Sequence, residues 1–169
     1  MLVPIFEADR EARLILTKRP DTMPSHQGEI AFPGGKLEAE QDEGLRDAAL
    51  REAQEEIGLD PSTVDVVAEL DSLTTVAARF VLTPFVGLLP SPPQLHPDPT
   101  EVVRAFDVSI AELLEDGVFR EERWDVPPDL GVTSGRDRPI HFFELADETV
   151  WGATARILTG FLEHLTADR

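Results

Sequence analysis

Residues 35–59 read GKLEAEQDEGLRDAALREAQEEIGL, and the reading of this stretch decides the fold. From Leu45 to Ile57 the apolar residues Leu45, Ala49, Ala53 and Ile57 recur every four positions, which predicts a helix with one apolar ridge. Gly58 stands where a C-cap glycine belongs, and Asp60-Pro61 follows it. Glu52, Glu55 and Glu56 fall at i, i+3 and i+4, so the helix also presents a patch of like charge away from most of that ridge. Each such pair costs a helix roughly 0.2–0.5 kcal/mol. The patch is either a solvated face relieved by Arg46 or Arg51, or a place where cations sit.

Outward from the helix the chain alternates apolar runs with turn signals. Residues 2–7 (LVPIFE) and 12–17 (ARLILT) predict a hairpin of two strands. Residues 20–28 (PDTMPSHQG) predict a loop, followed by a short strand in EIAFPGG. Beyond the helix, VDVVAEL, RFVLTPFVGLL, EVVRAFDV, VFREERW and PIHFFEL are β-like by composition or alternation. SPPQLHPDPTE and VPPDLGVTSGRDRP predict loops, the second of them mobile, and IAELLED a short helix. The stretch TVWGATARILTGFLEHLTAD is apolar at helical spacing and predicts a second long helix. This pattern is α/β: a mixed sheet with two helices packed on it, in one domain spanning residues 1–169.

Composition narrows the classes. The balance of 33 Asp plus Glu against 15 Lys plus Arg gives a net charge of −18, which repels nucleic acid. There is no cysteine, so neither disulfides nor a zinc–cysteine site is possible, and a reducing compartment fits. The N-terminus meets charges too early for a signal peptide, and no apolar run approaches the roughly 18 residues of a membrane span. The expectation is a soluble, cytoplasmic protein with no membrane or nucleic-acid partner.

The stretch GGKLEAEQDEGLRDAALREAQEEIGL resembles the Nudix box, G-x5-E-x7-R-E-U-x-E-E-x-G-U with U aliphatic. Glu43, Arg51, Glu52, Glu55, Glu56, Gly58 and Leu59 match, Ala53 is a weak stand-in for U, and Gly35 to Glu43 is two residues longer than the pattern. Upstream, ILTKRPDTMPSHQGEIAFPGG is similar to the signature of the coenzyme A diphosphatase branch, matching at Ile15, Leu16, Thr17, Arg19, Gly28, Phe32, Pro33, Gly34 and Gly35. Pro20 stands where that branch has serine, and Pro24 where it has arginine. VWGATARIL resembles the start of that branch's last helix; the segment that usually precedes its first strand is not seen before Met1.

The resemblance implies a Nudix α/β/α sandwich hydrolysing a nucleoside diphosphate-X linkage. Coenzyme A or a derivative is the favoured substrate, cleaved to 3′,5′-ADP and 4′-phosphopantetheine. It assigns Mg2+ or Mn2+ to Glu52 and Glu56, with Glu55 sharing a further ion and the Gly35 carbonyl as an added ligand. Glutamates on a rigid helix suit this, because hard cations take oxygen ligands, neutralise phosphates and acidify water. Arg51 is expected to anchor the box loop through Glu43. Glu101, behind the proline-rich loop, is the candidate general base or fourth carboxylate, and His96 nearby is expected to have no role. Arg19, His26 and Lys36 are the candidate phosphate or nucleotide contacts, Lys36 being one of only two lysines. Trp151, Phe142 and Phe143 are expected to pack in the core.

Rival substrates are ADP-ribose, NADH and a (d)NTP, and a rival class is a non-catalytic binding module of the same fold. The S-Q-P-W-P-F-type stretch of NADH diphosphatases is absent, the chain has no tyrosine, and Thr75 stands where ADP-ribose hydrolases carry proline. The partner implied is a small-molecule nucleotide; monomer and homodimer both remain open.

Overall fold

The two apolar runs near the N-terminus form the expected hairpin. Strands β1 (Leu2–Ala8) and β2 (Glu11–Lys18) pair antiparallel, with Ile5 opposite Leu14. Asp9 and Arg10, between them, both take positive φ, 53° and 68°, as the tight primed hairpin turns require. This computed structural model describes residues 1–22, 26–75, 80–126 and 135–167.

The remaining strands are β3 (Ile30–Ala31), β4 (Asp65–Glu69), β5 (Leu73–Thr74), β6 (Val81–Leu82), β7 (Phe85–Leu88), β8 (Arg104–Ser109), β9 (Phe119–Val126), β10 (Gly135–Glu144) and β11 (Thr149–Trp151). The main sheet runs β3-β2-β1-β7-β4, and β8 pairs with the other edge of β2. It is mixed: β1 and β7 are parallel, while the other pairs are antiparallel. Strands β11-β10-β9 make a second, antiparallel sheet, and β5-β6 a small hairpin. Pro84 separates β6 from β7 and divides what the sequence presents as one run.

Helices α1 (Leu45–Ile57) and α3 (Gly152–Thr166) lie on opposite faces of the main sheet, and α2 (Ile110–Leu113) follows β8. Strand alternation dictates this division. Leu2, Phe6 and Ile15 join Ala49, Ala53 and Ile57 of α1, whereas Val3, Ile5, Leu14 and Leu16 join Leu158, Phe161 and Leu162 of α3. Because β1 and β2 are covered on both faces, they read as continuous apolar runs. Phe143 and Val150 bring the second sheet onto the α3 side. Glu148, in the β10–β11 turn, accepts from Lys18 Nζ at 2.9 Å and Arg104 Nη2 at 3.0 Å, tying that turn to the main sheet.

Four expectations are corrected. Leu45 is 49% exposed, and Ala48 takes a buried place on the apolar face of α1. Residues 149–151 are strand β11 because they pair with β10, so the last helix starts only at Gly152. Residues 135–139 belong to β10, paired with β9; the rest of that expected loop, 127–134, lies outside the described residues. Phe142 and Phe143 are buried as expected, but Trp151 is 40% exposed and stacks on Phe142 at 6.4 Å, because its register places it on the outer face of the second sheet.

Candidate active site

Helix α1 positions the acidic residues. It ends as predicted: Gly58 adopts φ 70°, its N–H donates to Gln54 O at 2.9 Å, and the Leu59 N–H to Ala53 O at 3.3 Å. Two more carbonyls at this end are met from outside, where His96 N–H donates to Ile57 O at 2.8 Å and Asp98 N–H to Glu56 O at 2.9 Å. The proline-rich segment is thereby docked on the helix C-terminus. Asp98 then builds a turn, accepting from Thr100 N–H and Oγ1 and, through its carbonyl, from Glu101 and Val102 N–H. That turn sets Glu101 beside α1.

The chain reaches the same place from the other direction through Gly34 and Gly35. Gly34 N–H donates to Glu56 Oε2 at 3.0 Å. A Cβ on Gly35 would lie 2.3 Å from the Glu52 carboxyl carbon, so a side chain here would push the Glu52 carboxylate from its place. Glu52, Glu56 and Glu101 feel one another here. Glu56 is only 5% exposed, and burial, followed by the charges of Glu52 and Glu101, pushes its carboxyl up to about 7, against the Gly34 hydrogen bond and nearby Arg19. Glu52 is raised as well, by burial first and then by Glu55 and Glu101, although Arg51 opposes this.

Arg51 spans the rim of the cluster. Nε and Nη2 reach the two oxygens of Asp42 at 2.8 and 3.1 Å, Nη2 also meets Glu52 Oε1 at 3.0 Å, and Nη1 meets Glu55 Oε2 at 2.8 Å. Nη2 further donates to the Lys36 carbonyl at 3.1 Å, fastening the loop to the helix. The anchor is therefore Asp42 rather than Glu43. The turn at 38–42 folds Asp42 inward, where it also accepts the Glu38 N–H at 2.8 Å, and leaves its side chain 1% exposed while Glu43 faces solvent. Hydrogen bonds from Arg51 hold the Asp42 carboxyl below its ordinary range. The turn lies in the stretch where the box loop is two residues longer than the pattern.

The expected residues separate into two groups. Glu52, Glu56, Glu101, Gly35 and Arg19 come together, with Arg51, Glu55 and Lys36 around them. His26 sits apart on its loop with φ 55°, its Nδ1 2.8 Å from Glu29 Oε2. His96 serves through its backbone, packed against Gly58. Sequence reasoning missed Asp42 and Asp98; the two-residue excess in the box loop marks the stretch that holds Asp42, and nothing in the sequence singles out Asp98.

The donor set suits hard divalent cations: carboxylates on one helix, a further carboxylate from a loop, and a glycine backbone pressed against them. Mutual repulsion among Glu52, Glu56 and Glu101 is the feature that bound cations would relieve. Among the described residues, no three His, Asp or Glu side chains are already gathered in a metal-holding arrangement.

The sequence profile of the NUDIX domain matches residues 1–130. The chain is 40% identical over 166 residues to Nudix hydrolase 22, chloroplastic, of Arabidopsis thaliana, covering 94% of this chain and 52% of the relative. It is 37% identical to Nudix hydrolase 15, mitochondrial, of the same plant, covering 94% and 55%. It thus spans about half the length of these curated relatives. A MutT/nudix family protein from Enterococcus faecalis shares the fold with a TM-score of 0.59 at 16% identity, over 97% of this chain and 60% of that one. Box, buried acids and profile agree, and the chain belongs to the Nudix family.

Proposed function

We propose that the protein is a divalent-metal-dependent hydrolase of nucleoside diphosphate-X compounds, folded as one domain over residues 1–169, with coenzyme A or a derivative as preferred substrate. The observation that carries this is the convergence of Glu52 and Glu56 on the Gly34–Gly35 backbone, with Glu101 close enough to act on both through its charge. The signature residues Arg19, Gly28 and Phe32–Gly35 favour the coenzyme A branch over other diphosphates. No described helix is long and apolar enough to cross a membrane, and the absence of cysteine suits work in a reducing cytoplasm.

Glu52, Glu56 and the Gly35 carbonyl would hold Mg2+ or Mn2+, with Glu55 on a second ion. When bound, these ions neutralise the diphosphate and polarise its phosphoryl oxygens. Within this reading Glu101, with Asp98 as its turn support, takes the proton from the attacking water. The Gly34 N–H keeps Glu56 oriented by donating to its carboxylate. Arg51 holds Glu52, Glu55 and the Lys36 carbonyl in register, so it positions rather than reacts. Arg19, beside Glu56, brings positive charge to the substrate phosphates.

The test is product analysis. Purified protein with Mg2+ or Mn2+ is given coenzyme A, ADP-ribose, NADH and dGTP, and the nucleotides are separated. Release of 3′,5′-ADP from coenzyme A well above the other turnovers is expected. Preference for another compound moves the substrate, and no turnover of any compound sinks the hydrolase reading.

A further inference from the structure

Lys36 stands one residue from the glycine that touches Glu52, and its carbonyl is held by Arg51 at 3.1 Å. Lys18, the other lysine, is committed to Glu148, whereas Lys36 makes no ion pair among the described residues of this very acidic chain. Its ammonium instead lies 5.1 Å from the centroid of the Phe80 ring, within cation–π reach. Phe80 is 47% exposed and has no aromatic neighbour among the described residues. Its backbone is nevertheless fixed: Thr75 N–H donates to Phe80 O at 2.9 Å, and Phe80 N–H to Thr75 Oγ1 at 3.3 Å. These bonds extend the β5–β6 hairpin, whose Leu73 is buried in the core.

A single exposed apolar side chain is ordinary. A ring held by a hairpin and covered in part by the uncommitted ammonium of Lys36, the residue that follows Gly35, is a more specific arrangement. A ligand fitting it presents a flat π face to the ring and a negative charge to the ammonium. A nucleobase joined to its phosphates does both, while a flexible aliphatic arm offers no π face.

We propose that Phe80 and Lys36 form the nucleobase subsite, Phe80 stacking on the base and Lys36 meeting the adjoining phosphate. The inference rests on the hydrolase reading above and assigns the nucleotide end of its substrate to the β5–β6 hairpin. Stacking on an aromatic side chain is sequence-tolerant, so this subsite distinguishes nucleotides from diphosphates without a base rather than one base from another.

Calorimetric titration tests it, with ADP and inorganic pyrophosphate as probes in the presence of Mg2+. Phe80→Ala is expected to weaken ADP about tenfold, the effect of losing one stacked base, and to leave pyrophosphate within about twofold. Phe80→Trp restores ADP binding and Phe80→Leu does not; the Leu variant keeps apolar bulk, so it carries the comparison should the Ala variant misfold. Equal weakening of both probes shows that Phe80 merely shapes the loop and overturns the proposal, as does unchanged ADP binding. Substrate turnover is read separately. Lost ADP selectivity with no turnover of any compound keeps the subsite and removes the hydrolase reading, whereas robust turnover with unchanged ADP binding removes the subsite alone.

Discussion

At the scale of single residues the site is governed by where carboxylates are buried. Glu56 carries the largest consequence, since its pKa rises from 4.5 to about 7 on folding. The folded state then binds more protons than the unfolded chain between these values, so this contribution to stability is fully present below about pH 4.5 and lost as pH rises through about 7. A shift of that size corresponds to roughly 3 kcal/mol. In a chelator, Glu56→Gln is therefore expected to be more stable than the wild type at pH 8 by up to about 3 kcal/mol, with the difference vanishing toward pH 4.5. The same variant is expected to lose turnover, because an amide is a poor cation ligand. Urea melts at several pH values check the first statement; a difference independent of pH would mean that Glu56 ionises in the fold as it does in the open chain. Asp42 and Glu43 give a second contrast. Asp42→Ala strips Arg51 of its two-oxygen partner and the Glu38 N–H of its acceptor, so both melting temperature and kcat/KM are expected to fall. Glu43→Ala is expected to leave both in place, and the reverse result would restore Glu43 as the anchor.

At the scale of elements, legibility follows how local the determinants are. Helix α1 was predicted with its observed bounds because its apolar spacing and its C-cap glycine all lie within the helix and its flank. The acidic patch was legible for the same reason. Strands β5 and β11 were not, since two or three residues acquire strand character only from a partner across the fold. Leu45 fits the ridge by spacing yet is exposed, while Ala48, Ala49, Ala53 and Ile57 carry the buried face of α1. Asp98 and Phe80 were invisible as site residues because loop docking and hairpin placement put them where they are. Gly58 joins these two kinds of determinant. A Cβ there incurs the left-handed penalty, about 1–2 kcal/mol, and would also meet His96 Cβ at 3.0 Å, pushing on the segment that carries Glu101. Gly117 has a similar positive φ, but open space where a Cβ would go. Gly117→Ala is thus expected to lose the left-handed penalty alone and Gly58→Ala at least as much, with only the second losing activity measured below both unfolding transitions. Equal activities would show that Glu101 is indifferent to the helix end.

At the scale of the whole molecule the dominant fact is a net charge of −18 on 169 residues. Self-repulsion of that order opposes compaction, and salt screens it with a Debye length of about 10 Å at 0.1 M. Among the described residues several of the cations are held in local ion pairs, Arg51 at the box loop and Lys18 with Arg104 at Glu148, and the net charge keeps the global field negative. Two effects of added salt should therefore separate. Sodium chloride raised from about 20 to about 300 mM is expected to raise the melting temperature of the wild type and of a Glu52→Gln/Glu56→Gln double variant alike, because screening acts on the whole surface. Magnesium chloride at matched ionic strength is expected to raise the wild type further and the double variant no more than sodium does, because binding to the folded state adds stability only where the ligands exist. The double variant should also start from the higher melting temperature at neutral pH and low salt, since it lacks two mutually repelling carboxylates, one buried and one partly buried. If magnesium and sodium act equally on the wild type, general screening suffices and Glu52 and Glu56 do not hold the ion.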